Sequence, residues 1–211
     1  MTLPKYFPKR LCMTIFGVML CSLAVGFFKC SLFGVDPFQC FAQGIWGRFF
    51  DGRLSYGTCY AILNALMLVI DLFLDKHYIG IATLINLFLT GYIVDVSTNL
   101  LTALCPGPTL LIRILFLAIG IVAMCFASAM YMTSDLGVSV YDAIPIIISN
   151  RSKKPFKYVR VASDFVCVAV GAACGLLPGL GTLITAFFMG PLIDFFNRHF
   201  AEPFLYGKKN V

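Results

Sequence analysis

Gly80-Ile81-Ala82-Thr83-Leu84-Ile85-Asn86-Leu87-Phe88-Leu89-Thr90-Gly91-Tyr92-Ile93-Val94-Asp95 aligns without gaps on Gly179-Leu180-Gly181-Thr182-Leu183-Ile184-Thr185-Ala186-Phe187-Phe188-Met189-Gly190-Pro191-Leu192-Ile193-Asp194, and seven of the sixteen positions are identical. Upstream, Gly34-Val35-Asp36-Pro37-Phe38-Gln39 is echoed by Gly137-Val138-Ser139-Val140-Tyr141-Asp142. The offset between copies drifts only from 103 to 99 residues, as small loop deletions would produce. Both copies lie in apolar runs. The expectation is an internally duplicated membrane protein, an architecture common among transporters.

Working outward, 60% of the 211 residues are hydrophobic, 12% are charged, and mean hydropathy is +0.90. A water-soluble domain needs far more surface charge, so that class is excluded. Apolar runs cover roughly residues 11–28, 57–74, 78–104, 109–132, 158–177 and 179–197, each near the ~20 residues that cross a bilayer. The expected fold class is all-α: a polytopic helical membrane protein built from two tandem sequence repeats, with six long transmembrane helices plus two short broken or half helices. The expected divisions are an N-terminal tail 1–10, repeat 1 at 11–104, a linker 105–111, repeat 2 at 112–197 and a C-terminal tail 198–211. Cys105-Pro106-Gly107-Pro108 breaks the chain between the halves.

The net charge of +6 is concentrated in tails and short loops: Lys5, Lys9 and Arg10, then Arg151 to Arg160, then Arg198, Lys208 and Lys209. This is the positive-inside pattern, not a nucleic-acid surface, and it predicts cytoplasmic termini. The basic, then apolar N-terminus resembles a signal peptide, but 16–39 has a counterpart at 119–142 and is expected to be retained. The nine cysteines form no C-x-x-C pair and read as small hydrophobes. No metal site, cofactor or catalytic constellation is expected, so the chain is read as a non-enzyme.

Each half contains a short helix with its own start signal. Asp36-Pro37 is an N-cap acid followed by proline at the first helical position, and Ser139-Val140-Tyr141-Asp142 is an S-x-x-D capping box. Helices of about 11–14 residues are too short to span. If they re-enter without crossing, the chain has six crossings and inverted repeats, with Lys/Arg divided 12 inside to 4 outside. If they cross, there are eight crossings, parallel repeats and a 14-to-2 division. Charge favours eight by that margin of two residues.

The boxes GV-x-P-F-Q and GV-x-V-Y-D, with G-I-A-T-L-I-N…G-x-x-x-D and G-L-G-T-L-I-T…G-P-x-x-D, resemble the bacterial YczE/YyaS/YitT family of multi-pass membrane proteins. The resemblance covers nearly the whole chain. It departs at Gln39, where the family box is acidic, and at Ala82, where the second glycine of G-x-G-T is expected. It implies a bacterial inner-membrane protein presumed to transport something, without naming a substrate. The soluble domain that follows the membrane part in YitT-type members is not expected here.

Polar residues inside apolar runs are the candidate ligands. Asn64 and Asp164 match at an offset of 100, and Asn86 matches Thr185 at 99. Gln39 and Asp142 lie within a turn of the short-helix starts, where capping competes with ligand contact; Asp36 and Ser139 are the N-caps. Asp164 is also spaced to pair with Arg160 near the cytoplasmic surface, and Asn64 to join helices. Asp71 and Asp75 flank a loop and read as solvated. The leading expectation is a small-molecule transporter or permease with its site between the repeats. The alternative is a non-catalytic substrate-binding membrane subunit that works with energising partners. The bilayer is the expected surrounding, and a membrane partner or homo-oligomer stays open.

Overall fold

The computed structural model describes residues 6–54 and 56–207, without the side chains at positions 57, 87–89, 91, 92 and 95. The outer parts of the expected tails, 1–5 and 208–211, and the side chain of Asp95, the expected twin of Asp194, lie outside the described residues. The described chain folds as α1 (Phe7–Ser31), α2 (Pro37–Ile45), α3 (Tyr56–Leu74), α4 (Ile81–Leu104), α5 (Leu110–Thr133), α6 (Val140–Ser152), α7 (Phe156–Ala173), α8 (Leu180–Phe196) and α9 (Glu202–Tyr206). A π-helical turn, Trp46–Phe50, extends α2, and another, Asn197–Ala201, joins α8 to α9. Helix therefore begins inside the expected N-terminal tail and continues well past residue 197.

Among the described residues, three helices are long and apolar enough to cross a membrane by length and composition: Phe7–Ser31, Leu110–Thr133 and the continuous Leu180–Tyr206. Their outer faces expose Phe16, Leu111, Ile119 and Phe188, an arrangement costly in water and natural against acyl chains. The protein is an integral membrane protein.

At the centre, α1 and α5 lie side by side. Thr14 Oγ1 meets Ser134 Oγ at 2.7 Å, Cys21 Sγ meets Met124 Sδ at 3.1 Å, and Phe27 packs edge-on against Phe116 at 5.5 Å. At the far end Arg113 Nε donates to Ser31 O at 2.8 Å. Residue numbers rise along one helix as they fall along the other, so the pair is antiparallel. The eight-crossing arrangement favoured by charge needs these two helices parallel, and the packing overrides that two-residue margin.

The stretch quoted first finds its role in a crosswise exchange. Ala82 N donates to Leu136 O at 3.0 Å, and Gly181 N donates to Phe33 O at 2.9 Å. Thr83 Oγ1 donates to Val138 O at 2.7 Å, and Thr182 Oγ1 donates to Val35 O at 2.6 Å. Each G-x-x-T start of α4 or α8 thus holds the lead-in to the short helix of the other half. Gly34 (φ 120°) and Gly137 (φ 105°) adopt backbone that side chains avoid. A Cβ on Gly137 would also fall 2.9 Å from Gly80 Cα, and one on Gly34 3.1 Å from Gly179 Cα.

Both short helices start where the capping signals place them. Asp36 Oδ1 accepts from Gln39 N at 3.0 Å, and Ser139 Oγ accepts from Asp142 N at 3.2 Å. At ~1.5 Å per residue, the thirteen residues of α6 reach about 20 Å, short of the ~30 Å hydrocarbon core. Both ends of this segment return to one place, the turn between α3 and α4. Val138 N donates to Tyr78 O at 2.9 Å, and the Arg151 guanidinium donates to Leu74 O. In the other half, α2 crosses α7 so closely that a Cβ on Gly44 would lie 2.7 Å from Gly171 Cα.

Candidate functional site

Arg160 and Asp164 are four residues apart on α7, so they share one face, and that face meets the first turn of α6. Arg160 Nε donates to Asp164 Oδ2 at 3.2 Å, while Nη1 pairs closely with Asp142 Oδ1. Tyr141 donates its hydroxyl to Asp164 Oδ1, and Ser139 Oγ donates to Asp142 Oδ2 at 2.6 Å. The guanidinium also lies over the Tyr141 ring at 4.7 Å. Arg160 is 4% exposed, Asp164 0% and Asp142 6%. Ions taken this far from water cost several kcal/mol each unless paired, and here every charge has a partner. Two carboxylates around one guanidinium carry a formal net charge of −1, beside the positive N-terminal end of α6.

This cluster lies where the two short helices meet. The Phe38 ring, on the first turn of α2, stacks on Tyr141 at 4.9 Å with an interplanar angle of 17°. From Phe38 an aromatic column continues through Tyr60 (5.6 Å), Tyr56 (5.8 Å) and Trp46 (5.9 Å). On the other side a cavity of about 290 Å³ opens, lined by Thr133, Ser149, Asn150, Asp194 and Glu202 among others. Ile146 and Ser149 line it and share a helical face with Asp142, so the cavity follows α6 toward the ion cluster. Ser149 stands 103 residues after Trp46, and a hydroxymethyl in place of an indole leaves room there.

The sequence candidates separate clearly. Asp142 and Asp164 join the cluster, and Asp142 also has its backbone N–H capped, so the two roles weighed for it coexist. Asp164 is fully buried and pairs with Arg160 as their spacing suggested. Gln39 is half-buried on the first turn of α2, where its N–H completes the Asp36 cap. Asn64 turns back on its own helix, donating to Tyr60 O at 2.8 Å. Asn86 accepts from Thr90 at 3.3 Å, and Thr185 donates to Thr182 O at 2.9 Å; both bonds stay within their helices. Asp75 caps the following turn by accepting from His77 N at 3.0 Å, but Asp71 is 0% exposed and not solvated.

One member was missed from sequence, and a second was read only as the ion-pair partner of Asp164, a pairing the structure shows. Tyr141 sits in an apolar run and gives no signal until its hydroxyl finds Asp164. Arg160 is the second. Its importance was readable from the matched spacing Tyr60-x-x-x-Asn64 and Arg160-x-x-x-Asp164, which places a charged pair where the first half has a neutral one.

The chain belongs to a family of unknown function (DUF6198), whose profile matches residues 8–198. An uncharacterized protein of Haemophilus influenzae is 26% identical over 89% of this chain and 83% of its own. The uncharacterized membrane protein YczE of Bacillus subtilis is 23% identical over 77% of this chain and 73% of its own. YyaS of the same organism, also uncharacterized, is 24% identical over 87% and 92%. These relatives bear out the resemblance drawn from the motifs. No solved structure matches.

Proposed function

We propose that this member of the family is a small-molecule transporter of the bacterial inner membrane, without catalytic activity. Its two halves act as inverted repeats, each with three crossings and one re-entrant short helix, and both termini are cytoplasmic. The observation that carries the reading is the buried Asp142–Arg160–Asp164 cluster at the meeting of α2 and α6. Ionisable groups this deep in a membrane chain are typically kept for function, and broken elements at matching places mark transporter sites. Inversion is supported by the antiparallel α1–α5 pair and the crosswise bonds of Ala82 with Leu136 and Gly181 with Phe33. In this arrangement Asp142, Asp164, Gln39 and Asn64 surround the substrate path, with Asn86 and Thr185 one layer out, and the cavity beside α6 is its cytoplasmic entrance.

The test is a thermal-shift ligand screen on the purified chain, followed by uptake into proteoliposomes with and without an ion gradient. Asp164→Asn should fold and lose most of the binding and uptake. Full binding and uptake by well-folded Asp164→Asn protein would overturn the site, and uptake only with an added partner protein would replace the transporter with a substrate-binding subunit.

A further inference from the structure

Asp71 lies one turn before the end of α3, in the run Val69-Ile70-Asp71-Leu72-Phe73-Leu74. Its neighbour Phe73 is 87% exposed, whereas Asp71 is 0% exposed. Neither of its carboxylate oxygens has a hydrogen-bond partner among the described residues. It stands 100 residues before Gly171, the same offset that matches Asn64 with Asp164. Gly171 packs against Cys40 of α2; carried over by that match, Asp71 is assigned to the side of α3 that packs against α6.

Ionised, a carboxylate in that position leaves a buried charge uncompensated; neutral, it leaves an unbonded polar group. Neither state is satisfied by the surrounding protein, so the carboxyl is poised to exchange a proton. The other charged and titratable groups around it are committed elsewhere or exposed. On α6, Tyr141 and Asp142 belong to the ion cluster. In the turn after α3, Asp75 caps it, His77 bonds Asp135 at 3.0 Å, Tyr78 bonds Asn150 at 2.6 Å, and Lys76 is exposed. On the α2 side, Cys40 faces α7 and Arg48 is exposed. Arg151 of α6 is the cation held one turn away, on the carbonyl of Leu74.

We propose that Asp71 is a proton-binding site whose occupancy sets how α6 docks on α3. With the proton bound, the interface is dry and Arg151 rests on Leu74 O. Release of the proton leaves one negative charge on the carboxylate, which must gain water or the Arg151 guanidinium, and either change moves α6. That helix carries Ser149 on the cavity wall and Asp142 at its other end, so a shift at Asp71 reaches both. The link to transport rests on the function proposed above; the proton site itself does not.

Infrared spectroscopy of the full chain, with pH as the only variable, separates the two. Wild-type protein should show a protonated-carboxyl carbonyl band that titrates away as pH rises. Asp71→Asn, isosteric with the neutral acid, should lack that band, and Asp71→Glu should keep it at a shifted frequency. An unchanged band in Asp71→Asn, or no band in wild type, overturns the proposal without touching the transport reading. Should Asp71→Asn not fold, Arg151→Gln serves instead: it should change the pH at which the band is lost, and an unchanged titration rejects the switch. For the docking, maleimide labelling of Ser149→Cys in a cysteine-depleted chain should change several-fold across the titration and stay flat when Asp71→Asn is added. A flat profile with Asp71 present overturns the coupling.

Discussion

Replacing Arg160 by Gln tests the ion cluster most directly. The change removes both ion pairs and the cation over the Tyr141 ring, and leaves Asp142 and Asp164 in a site where each is under a tenth exposed. Removing one partner of a buried pair costs about 3–5 kcal/mol, and with two carboxylates stranded the upper end is expected. Asp164→Asn should behave differently. The amide oxygen can still accept from Arg160 Nε while the amide NH2 donates to the Tyr141 hydroxyl oxygen, and the remaining Arg160–Asp142 pair is balanced, so the loss should be about 1 kcal/mol. The triple change Arg160→Gln, Asp142→Asn, Asp164→Asn removes all three charges and should recover most of the stability lost in Arg160→Gln, because neutral replacement of a buried pair is often near neutral. Reversible unfolding of the purified chain in mixed detergent, followed by circular dichroism, reads all three. Arg160→Gln within about 0.5 kcal/mol of wild type, the range of ordinary surface changes, would refute the reasoning. So would a triple variant no more stable than Arg160→Gln.

Two further results are expected. Thr182→Val removes one bond to a lead-in carbonyl, at 2.6 Å, and should cost about 0.6 kcal/mol, the average for side-chain bonds in membranes. Thr83→Val removes such a bond at 2.7 Å and also the one Thr83 accepts from Gly80 N at 3.2 Å, so it should cost more. A loss at Thr83→Val smaller than that at Thr182→Val in the same unfolding assay would speak against this reading. Single cysteines at Arg53 and Lys76 in a cysteine-depleted background should differ toward an impermeant reagent added outside. Labelling at 53 and not at 76 fits six crossings, and the reverse pattern would end the inverted reading.

The fold was legible where one residue determines one backbone feature. Asp36-Pro37 and Ser139-x-x-Asp142 gave the short-helix starts because a cap acts within three residues. The relative direction of α1 and α5 was not legible, because it was argued from a charge count whose margin was two residues, whereas packing along the whole of both helices decides it. The site was half legible. Asp142 and Asp164 were found as polar residues in apolar runs, but their joining needed α6 to fold back on α7. Asp71 was misread because its neighbours Leu72 and Phe73 face outward, and sequence alone does not say which way a helix is turned.

On the proposed repeat reading the two halves share a frame and differ in chemistry, and the kind of bond explains why. The lead-ins are held by main-chain donors and by threonine hydroxyls on main-chain carbonyls, contacts that most neighbouring side chains can change around without breaking. The site is built from side chains alone, so it is free to diverge. At matched positions the first half has Gln39, Tyr60 and Asn64, and the second has Asp142, Arg160 and Asp164. Trp46 fills the space on one side where Ser149 leaves a cavity on the other. In an inverted frame those two sides face opposite surfaces of the membrane. On the function proposed above, such a scaffold can present a charged, open approach from one side and an aromatic, closed one from the other, and the difference rests on a few side chains, with no change in backbone topology.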